Sequence, residues 1–219
     1  MRLTKYTHSC VRFDDGAARL VIDPGTFAPD GELSTALDGV HAVALTHEHP
    51  DHVDVDGLAA AAGADDRLTV WAPAAVCAQL EQRDALRGRT VTVESGESFE
   101  AGGLAVSAYG GQHALIHSSI PMVANLGYLV GGAVYHPGDS FVVPEVPVER
   151  LLVPLHAPWS KVAEVLDHVI AVRPRHVHHV HDGLLNERGR GLVAGHLDRV
   201  ATRYGGSYAP LEPGESVEV

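Results

Sequence analysis

Seven consecutive residues, Thr46-His47-Glu48-His49-Pro50-Asp51-His52, carry three imidazoles and two carboxylates. Residues two apart on an extended segment point to one side, so His47 and His49 can meet a single metal ion. Asp51 and His52 are neighbours and diverge in any regular structure. A tight turn after Pro50 would bring them together onto a second ion. Imidazole plus carboxylate without thiolate suits Zn²⁺ and tolerates Mn²⁺ or Fe. The chain holds 15 His against 16 Lys and Arg together, and His is the commonest metal ligand and a frequent acid or base. No G-x-S-x-G elbow is present, so a serine nucleophile of that kind is not expected.

The elements must deliver these side chains to one place. Leu3–Thr7, Cys10–Phe13 and Arg19–Ile22 read as short strands, with Asp14-Asp15-Gly16 as a hairpin turn. Residues 26–39 read as a loop with at most one short helix. His41–Leu45 reads as a buried strand running straight into the seven-residue motif, and strand ends are where α/β folds expose functional groups. Helix is expected over 54–62 and from Pro73 to about Arg83, and strand over Leu68–Trp71, Thr90–Val93 and Leu104–Tyr109. Leu126–Val130, Ala133–Tyr135, Leu151–Leu155 and His176–Val180 are further strands. Ser160 is placed to cap a helix with Val162, Val165, Leu166, Val169 and Ile170 on its apolar face. A last helix runs through Val193, Leu197, Val200 and Tyr204. No repeat, linker or low-complexity segment stands out, and the order of elements predicts a layered α/β protein with outer helices.

Composition bounds the function. The 219 residues are 45% hydrophobic and 20% charged, with a formal net charge of −12. That balance argues against nucleic acid, which is bound through Lys and Arg clusters, and against an anionic membrane surface. Apolar runs are too short to span a bilayer. Met1–Tyr6 has no signal-peptide apolar region, so a cytoplasmic location is expected. Cys10 and Cys77 are the only cysteines, which leaves neither a disulfide framework nor a thiolate zinc site. A small-molecule substrate fits these numbers, and a homo-oligomer is compatible with them.

The motif resembles the signature T-H-x-H-x-D-H of the metallo-β-lactamase-fold superfamily at every position. Within it the chain looks most like the branch of ascorbate-phosphate-lactonase-like proteins, described as Zn-dependent hydrolases. Thr7-His8-Ser9-Cys10-Val11 with Leu20-Val21-Ile22-Asp23-Pro24-Gly25 is similar to the family's opening hairpin. Gly111-Gln112-His113, His136-Pro137-Gly138-Asp139-Ser140 and Pro174–His181 are similar to its later elements. The resemblance implies an α/β fold, a four-layer αβ/βα sandwich of the metallo-β-lactamase type, as one domain over 1–219. It implies two divalent ions. His47, His49 and His113 would hold one, Asp51, His52 and His181 the other, and Asp139 would bridge them, with Asp51 and Asp139 as the catalytic carboxylates. Two ions can lower the pKa of a shared water from 15.7 toward ~7, and that hydroxide would attack a small ester, lactone or phosphodiester. The alternative is a metal-binding module or a non-hydrolytic metalloprotein without turnover. His117 competes with His113, and His176, His178 and His179 compete with His181. His8, His117, Asn125 and His156 are the expected substrate contacts. A structural role for His8 and a chance surface position for His117 and His156 remain open readings. His136 and Ser140 would orient Asp139.

Overall fold

Gly16 and Ala17 turn the chain back on itself in the computed structural model, which describes residues 1–219. Gly16 has φ +61°, a left-handed value that only glycine adopts at no steric cost. The turn pairs β2 (Val11–Asp15) with β3 (Ala18–Ile22), and β2 pairs on its other side with β1 (Arg2–Lys5), both antiparallel. Beyond β3 the pairing becomes parallel through β4 (Ala42–Ala44), β5 (Thr69–Ala72) and β6 (Thr90–Thr92). The connections are α1 (Glu32–Ala36), α2 (Val55–Ala64) and α3 (Ala74–Leu80), followed by a 3₁₀ turn at Asp84–Leu86.

The second sheet starts with β7 (Ser98–Ala101), antiparallel to β8 (Leu104–Gly110). β8, β9 (Leu126–Val130) and β10 (Val134–His136) are antiparallel in turn. β11 (Arg150–Pro154), β12 (His176–Val180) and β13 (Ser207–Tyr208) then add in parallel. α4 (Val162–Val172) joins β11 to β12, and α5 (Glu187–Arg203) joins β12 to β13. The closing strand β14 (Ser216–Glu218) crosses back to pair with β1. Each sheet has seven strands.

Three buried clusters define four layers. Phe13, Leu20, Ile22, Ala42 and Ala44 from one sheet meet Val106, Tyr128, Val130 and Leu152 from the other, so the sheets pack face to face. Val21, Val43 and Leu45 point the opposite way, onto Leu58 and Ala62 of α2 and Val76 and Leu80 of α3. Leu151, Val153 and Val177 do the same against Val165 and Val169 of α4 and Leu197 of α5. Strands covered on both faces read as unbroken apolar runs rather than alternating ones, which is why Ala42–Leu45 and Leu151–Leu155 were visible. This is the αβ/βα sandwich expected.

Some local expectations fail. Ser160 does not cap α4: its Oγ closes a turn on Ala157, accepting from the Ala157 amide at 3.0 Å. The cap residue is Lys161, whose amide donates to Glu164 Oε2 at 2.8 Å. Ile170, assigned to the apolar face, is 49% exposed, while His168 is buried beside Val165 and Val169. The predicted helix to Arg83 ends at Leu80. The short edge strands β7, β13 and β14 carried too few apolar residues to announce themselves.

Candidate metal centre

The functional side chains sit where strands run out into loops. His8 follows β1, Asp23 follows β3, His47–His52 follow β4, and His113 lies beyond the end of β8. Asp139 stands after β10, His156 and Trp159 after β11, and His181 immediately after β12. Two close packings hold the loops together. A Cβ on Gly25 would lie 1.9 Å from the carbonyl oxygen of Asp51, so only glycine lets the two loops touch. Gly138 has φ +61°, and a Cβ there would lie 2.3 Å from Asn125 Oδ1.

Two groups of ligand-type atoms result, each with its atoms mutually within 4.8 Å. One comprises His47, His49, His113 and Asp139, the other His8, Asp51, His52 and His181. Asp139 reaches both. Its Oδ2 is 3.3 Å from His113 Nε2 and 3.2 Å from His181 Nε2, and its Oδ1 is 3.1 Å from His52 Nε2. Asp51 Oδ2 lies 3.5 Å from His181 Nε2. The turn required after Pro50 exists: the His52 and Val53 amides donate to the His49 carbonyl at 2.9 and 3.1 Å. His113 and His181, rather than their sequence rivals, occupy the groups.

The tautomers are fixed from outside. His113 Nδ1 faces the Ala114 carbonyl at 2.6 Å, and His181 Nδ1 faces the His156 carbonyl at 2.7 Å. A carbonyl only accepts, so Nδ1 carries a hydrogen in both rings and Nε2 is the nitrogen left to serve a cation. His52 Nδ1 meets Asp23 Oδ2 at 2.7 Å. Thr46 Oγ1 donates to the same Asp23 oxygen at 2.7 Å and so accepts from His47 Nδ1 at 2.9 Å. Four imidazoles therefore aim Nε2 inward, and outer partners of this kind raise a metal ligand's basicity and fix its orientation. The Nε2 atoms of His52, His113 and His181 and the Oδ1 of Asp139 are buried without a hydrogen-bond partner. Buried polar atoms are almost always satisfied. This donor set fits a divalent cation.

The charges agree with that fit. Burial works against ionised Asp139, but the facing His52 and His181 rings hold its pKa well below the carboxylate range. Burial likewise opposes charge on His181, yet Asp139 and Asp51 bring its pKa up to about 9. His52 is also raised, against burial, by Asp139 and Asp23. His47 goes the other way, pushed well down by burial and by its neighbour His52. Without a metal, protons on His52 and His181 offset the carboxylates, and a cation replaces them.

Several expected contacts are elsewhere. Asn125, expected to touch substrate, is fully buried: its Nδ2 donates to the Pro137 carbonyl at 2.9 Å and its Oδ1 accepts the Asp139 amide at 2.9 Å. It holds the Asp139 loop and is not exposed to a ligand. His117 is exposed and bonded to Ser119, with no hydrogen bond or ion pair to either group. His156 is half-buried and serves His181 through its carbonyl. His8 is 1% exposed, inside the second group. Its Nδ1 accepts the Gly183 amide at 3.1 Å, so its Nε2 carries hydrogen and donates to Asp51 Oδ2 at 3.1 Å. That makes His8 a donor to a ligand. His136 Nδ1 accepts the Gly138 amide, and Ser140 Oγ donates to the Pro137 carbonyl, so both brace the turn that presents Asp139.

Two contributors escaped sequence reasoning. Asp23 is fully buried and accepts from the Thr46 amide and hydroxyl and from His52. An acid ending an apolar strand before Pro-Gly was the available signal. Trp159 Nε1 donates to Asp139 Oδ2 at 2.9 Å, and nothing in a lone loop tryptophan announces that.

Known proteins resemble the chain throughout. A family model described as the beta-lactamase superfamily domain matches residues 2–181. Protein Rv0786c of Mycobacterium tuberculosis is 36% identical over 207 residues, 92% of this chain and 93% of that protein. The UPF0173 metal-dependent hydrolase Atu1317 of Agrobacterium fabrum is 30% identical over 72% of this chain and 70% of its own length. Among solved structures, Igni18, a metallo hydrolase of Ignicoccus hospitalis, superposes with a TM-score of 0.72 at 19% identity, covering 99% of this chain and 97% of that one. The metallo-beta-lactamase fold protein YhfI of Bacillus subtilis gives 0.72 at 15% identity, over 100% and 99%. CmlA, a diiron β-hydroxylase of Streptomyces venezuelae, gives 0.77 at 17% identity over 100% of this chain and 54% of CmlA. At such identities the structures bear on the fold alone, and the fold they share is the metallo-β-lactamase fold.

Proposed function

The chain belongs to the beta-lactamase superfamily, and from that premise we propose that it is a metal-dependent hydrolase holding two divalent ions, zinc in the first place, and acting on a small uncharged ester or lactone. The observation that carries the reading is Asp139, whose two oxygens face ring nitrogens of both ligand groups. His47, His49 and His113 would hold one ion, and Asp51, His52 and His181 the other, with Asp139 between them. When bound, the ions supply Lewis acidity that polarises the scissile carbonyl and makes water a nucleophile at neutral pH.

The chain's own residues do the rest. Asp23, Thr46 and the carbonyls of Ala114 and His156 keep the imidazoles in their metal-binding tautomer. His8 donates to Asp51 and limits its rotation. Exposed apolar side chains stand on the loops that carry these residues. Phe27 packs against His8 with ring centroids 4.7 Å apart and the rings tilted by 45°. Leu115, Ile120 and Met122 are exposed on the loop that carries His113, and Leu184 is exposed just after His181. Such a rim suits an uncharged organic substrate, and the net charge of −12 disfavours a phosphodiester. His156 would line the same mouth. A cytoplasmic setting is part of the proposal; no helix is long and apolar enough to cross a membrane.

The test is metal content, measured on protein purified without chelators, together with a panel of esters, lactones and phosphodiesters. Two ions per chain are expected, with ester or lactone turnover that chelation removes and added metal restores. Full loading at one ion, or turnover indifferent to chelation, would defeat the dinuclear hydrolase.

A further inference from the structure

Trp159 stands between the two ligand groups. Its indole lies 5.6 Å from the His113 ring and 6.1 Å from the His181 ring, centroid to centroid. Phe141 packs edge-on against it at 5.3 Å. The turn of Ala157–Ser160, closed by the Ser160 amide on the Ala157 carbonyl at 3.0 Å, fixes its backbone. Its Nε1 hydrogen points at Asp139 Oδ2, 2.9 Å away.

The donors around Asp139 are not equivalent. His52, His113 and His181 all approach its carboxylate, but each has its Nδ1 hydrogen turned outward, to Asp23, Ala114 and His156. Once their Nε2 lone pairs serve a cation, none has a hydrogen left for Asp139. An indole nitrogen is a donor only and cannot ligate. Trp159 is then the side-chain donor that stays on the carboxylate. One oxygen held by Trp159 leaves the carboxylate a single orientation, with Oδ1 toward His52 and Oδ2 toward both His113 and His181.

We propose that Trp159 is a positioning residue: its indole N–H fixes the rotation of Asp139 and so sets how that carboxylate is shared between the two ions. The inference rests on the dinuclear reading above. It is tested by metal binding rather than turnover, using competition with a chromophoric chelator and elemental analysis. Trp159→Phe keeps an aromatic ring and removes the donor. It is expected to weaken binding of one of the two ions about 10- to 100-fold, the range for lost partners of metal ligands, with the metal-free melting curve unchanged.

A second variant separates the hydrogen from the ring. In a Trp71→Phe background, benzothienylalanine at position 159 replaces the N–H by sulfur and preserves the bicyclic shape. If it loses the ion as Trp159→Phe does, the donor is responsible. If it binds two ions like the parent protein, the ring only packs and the proposal is overturned. Unchanged binding by Trp159→Phe overturns it as well. A parent protein that binds no ion at all would take down the dinuclear reading first, and this one with it.

Discussion

Asp23 shows how a residue that touches no substrate can govern the site. It accepts three hydrogen bonds with no exposure to water, and one comes from His52. Asp23→Asn should keep the fold and weaken metal binding by about 10- to 100-fold, read by chelator competition. Two histidines outside the site contribute to the response to acid. Burial pushes His168 and His178 down to about 4 each, with Arg150 adding to the effect on His178. His168 gives Nε2 to the Val142 carbonyl, and His178 gives Nδ1 to the Ala209 carbonyl. Their unfolded forms take up protons near pH 6.5. At these two positions the unfolded chain therefore binds more protons than the folded one between pH 6.5 and 4, so their contribution to stability falls as pH drops through that window. For His168, which is 3% exposed, the loss is on the order of 3 kcal/mol. Denaturant melts from pH 7 to 4 should show the decline, and His168→Gln should flatten it. A slope unaltered in that variant would assign the acid response to other groups.

At the scale of elements, the site depends on loops that touch. Gly25→Ala sets a methyl against the Asp51 carbonyl. Overpacking of that kind costs typically about 1–3 kcal/mol, and here it must also shift Asp51. The variant should melt earlier and hold the second ion less tightly, and a variant with normal binding would show that the loop yields without moving its ligand. This coupling explains what the sequence could and could not say. The buried strands were legible because Ala42–Leu45 and Leu151–Leu155 are apolar on both faces, and the clustered His and Asp side chains were legible because they lie at strand ends, four of them in one dense motif. Asn125 was misread because an amide looks the same whether it faces solvent or braces a neighbouring loop. The donor role of His8 depends on contacts between the loops after β1, β4 and β12, which are far apart along the chain, and that of Trp159 on the packing of the loop after β11 against the loop after β10. Ser160 was misassigned because a serine before a helix can close a turn as readily as a cap.

At the scale of the whole molecule, the first strand is bolted to the last ligand. Lys5 of β1 is 1% exposed, and its Nζ lies 3.1 Å from Asp182 Oδ1, next in chain to His181. Breaking a buried pair strands a charge, at a cost of about 3–5 kcal/mol. Lys5→Met should approach that loss, eased by His179 and Arg190, which also face Asp182. Lys5→Met with Asp182→Leu should lose less than the two single changes together, measured by urea unfolding. The strand pairing carries a wider consequence. From β1 to β6 neighbours pair antiparallel twice and then parallel three times, and from β8 to β13 the same series recurs. α2 and α3 fall where α4 and α5 do. His8 and His113 both follow the first strand of a series, and Asp23 and Asp139 both follow the third. Duplication and fusion of a half-length unit would leave such a pattern, with the candidate metal centre at the seam between the two halves. Each half carries a histidine and an aspartate at matching stations, and one aspartate, Asp139, faces both ligand groups while the other, Asp23, braces His52 from behind. The polypeptide severed between β6 and β7 should reassemble from its two fragments on mixing, because the second carries its own sheet complete and the first lacks from its sheet only β14, which the second supplies along with the opposing face.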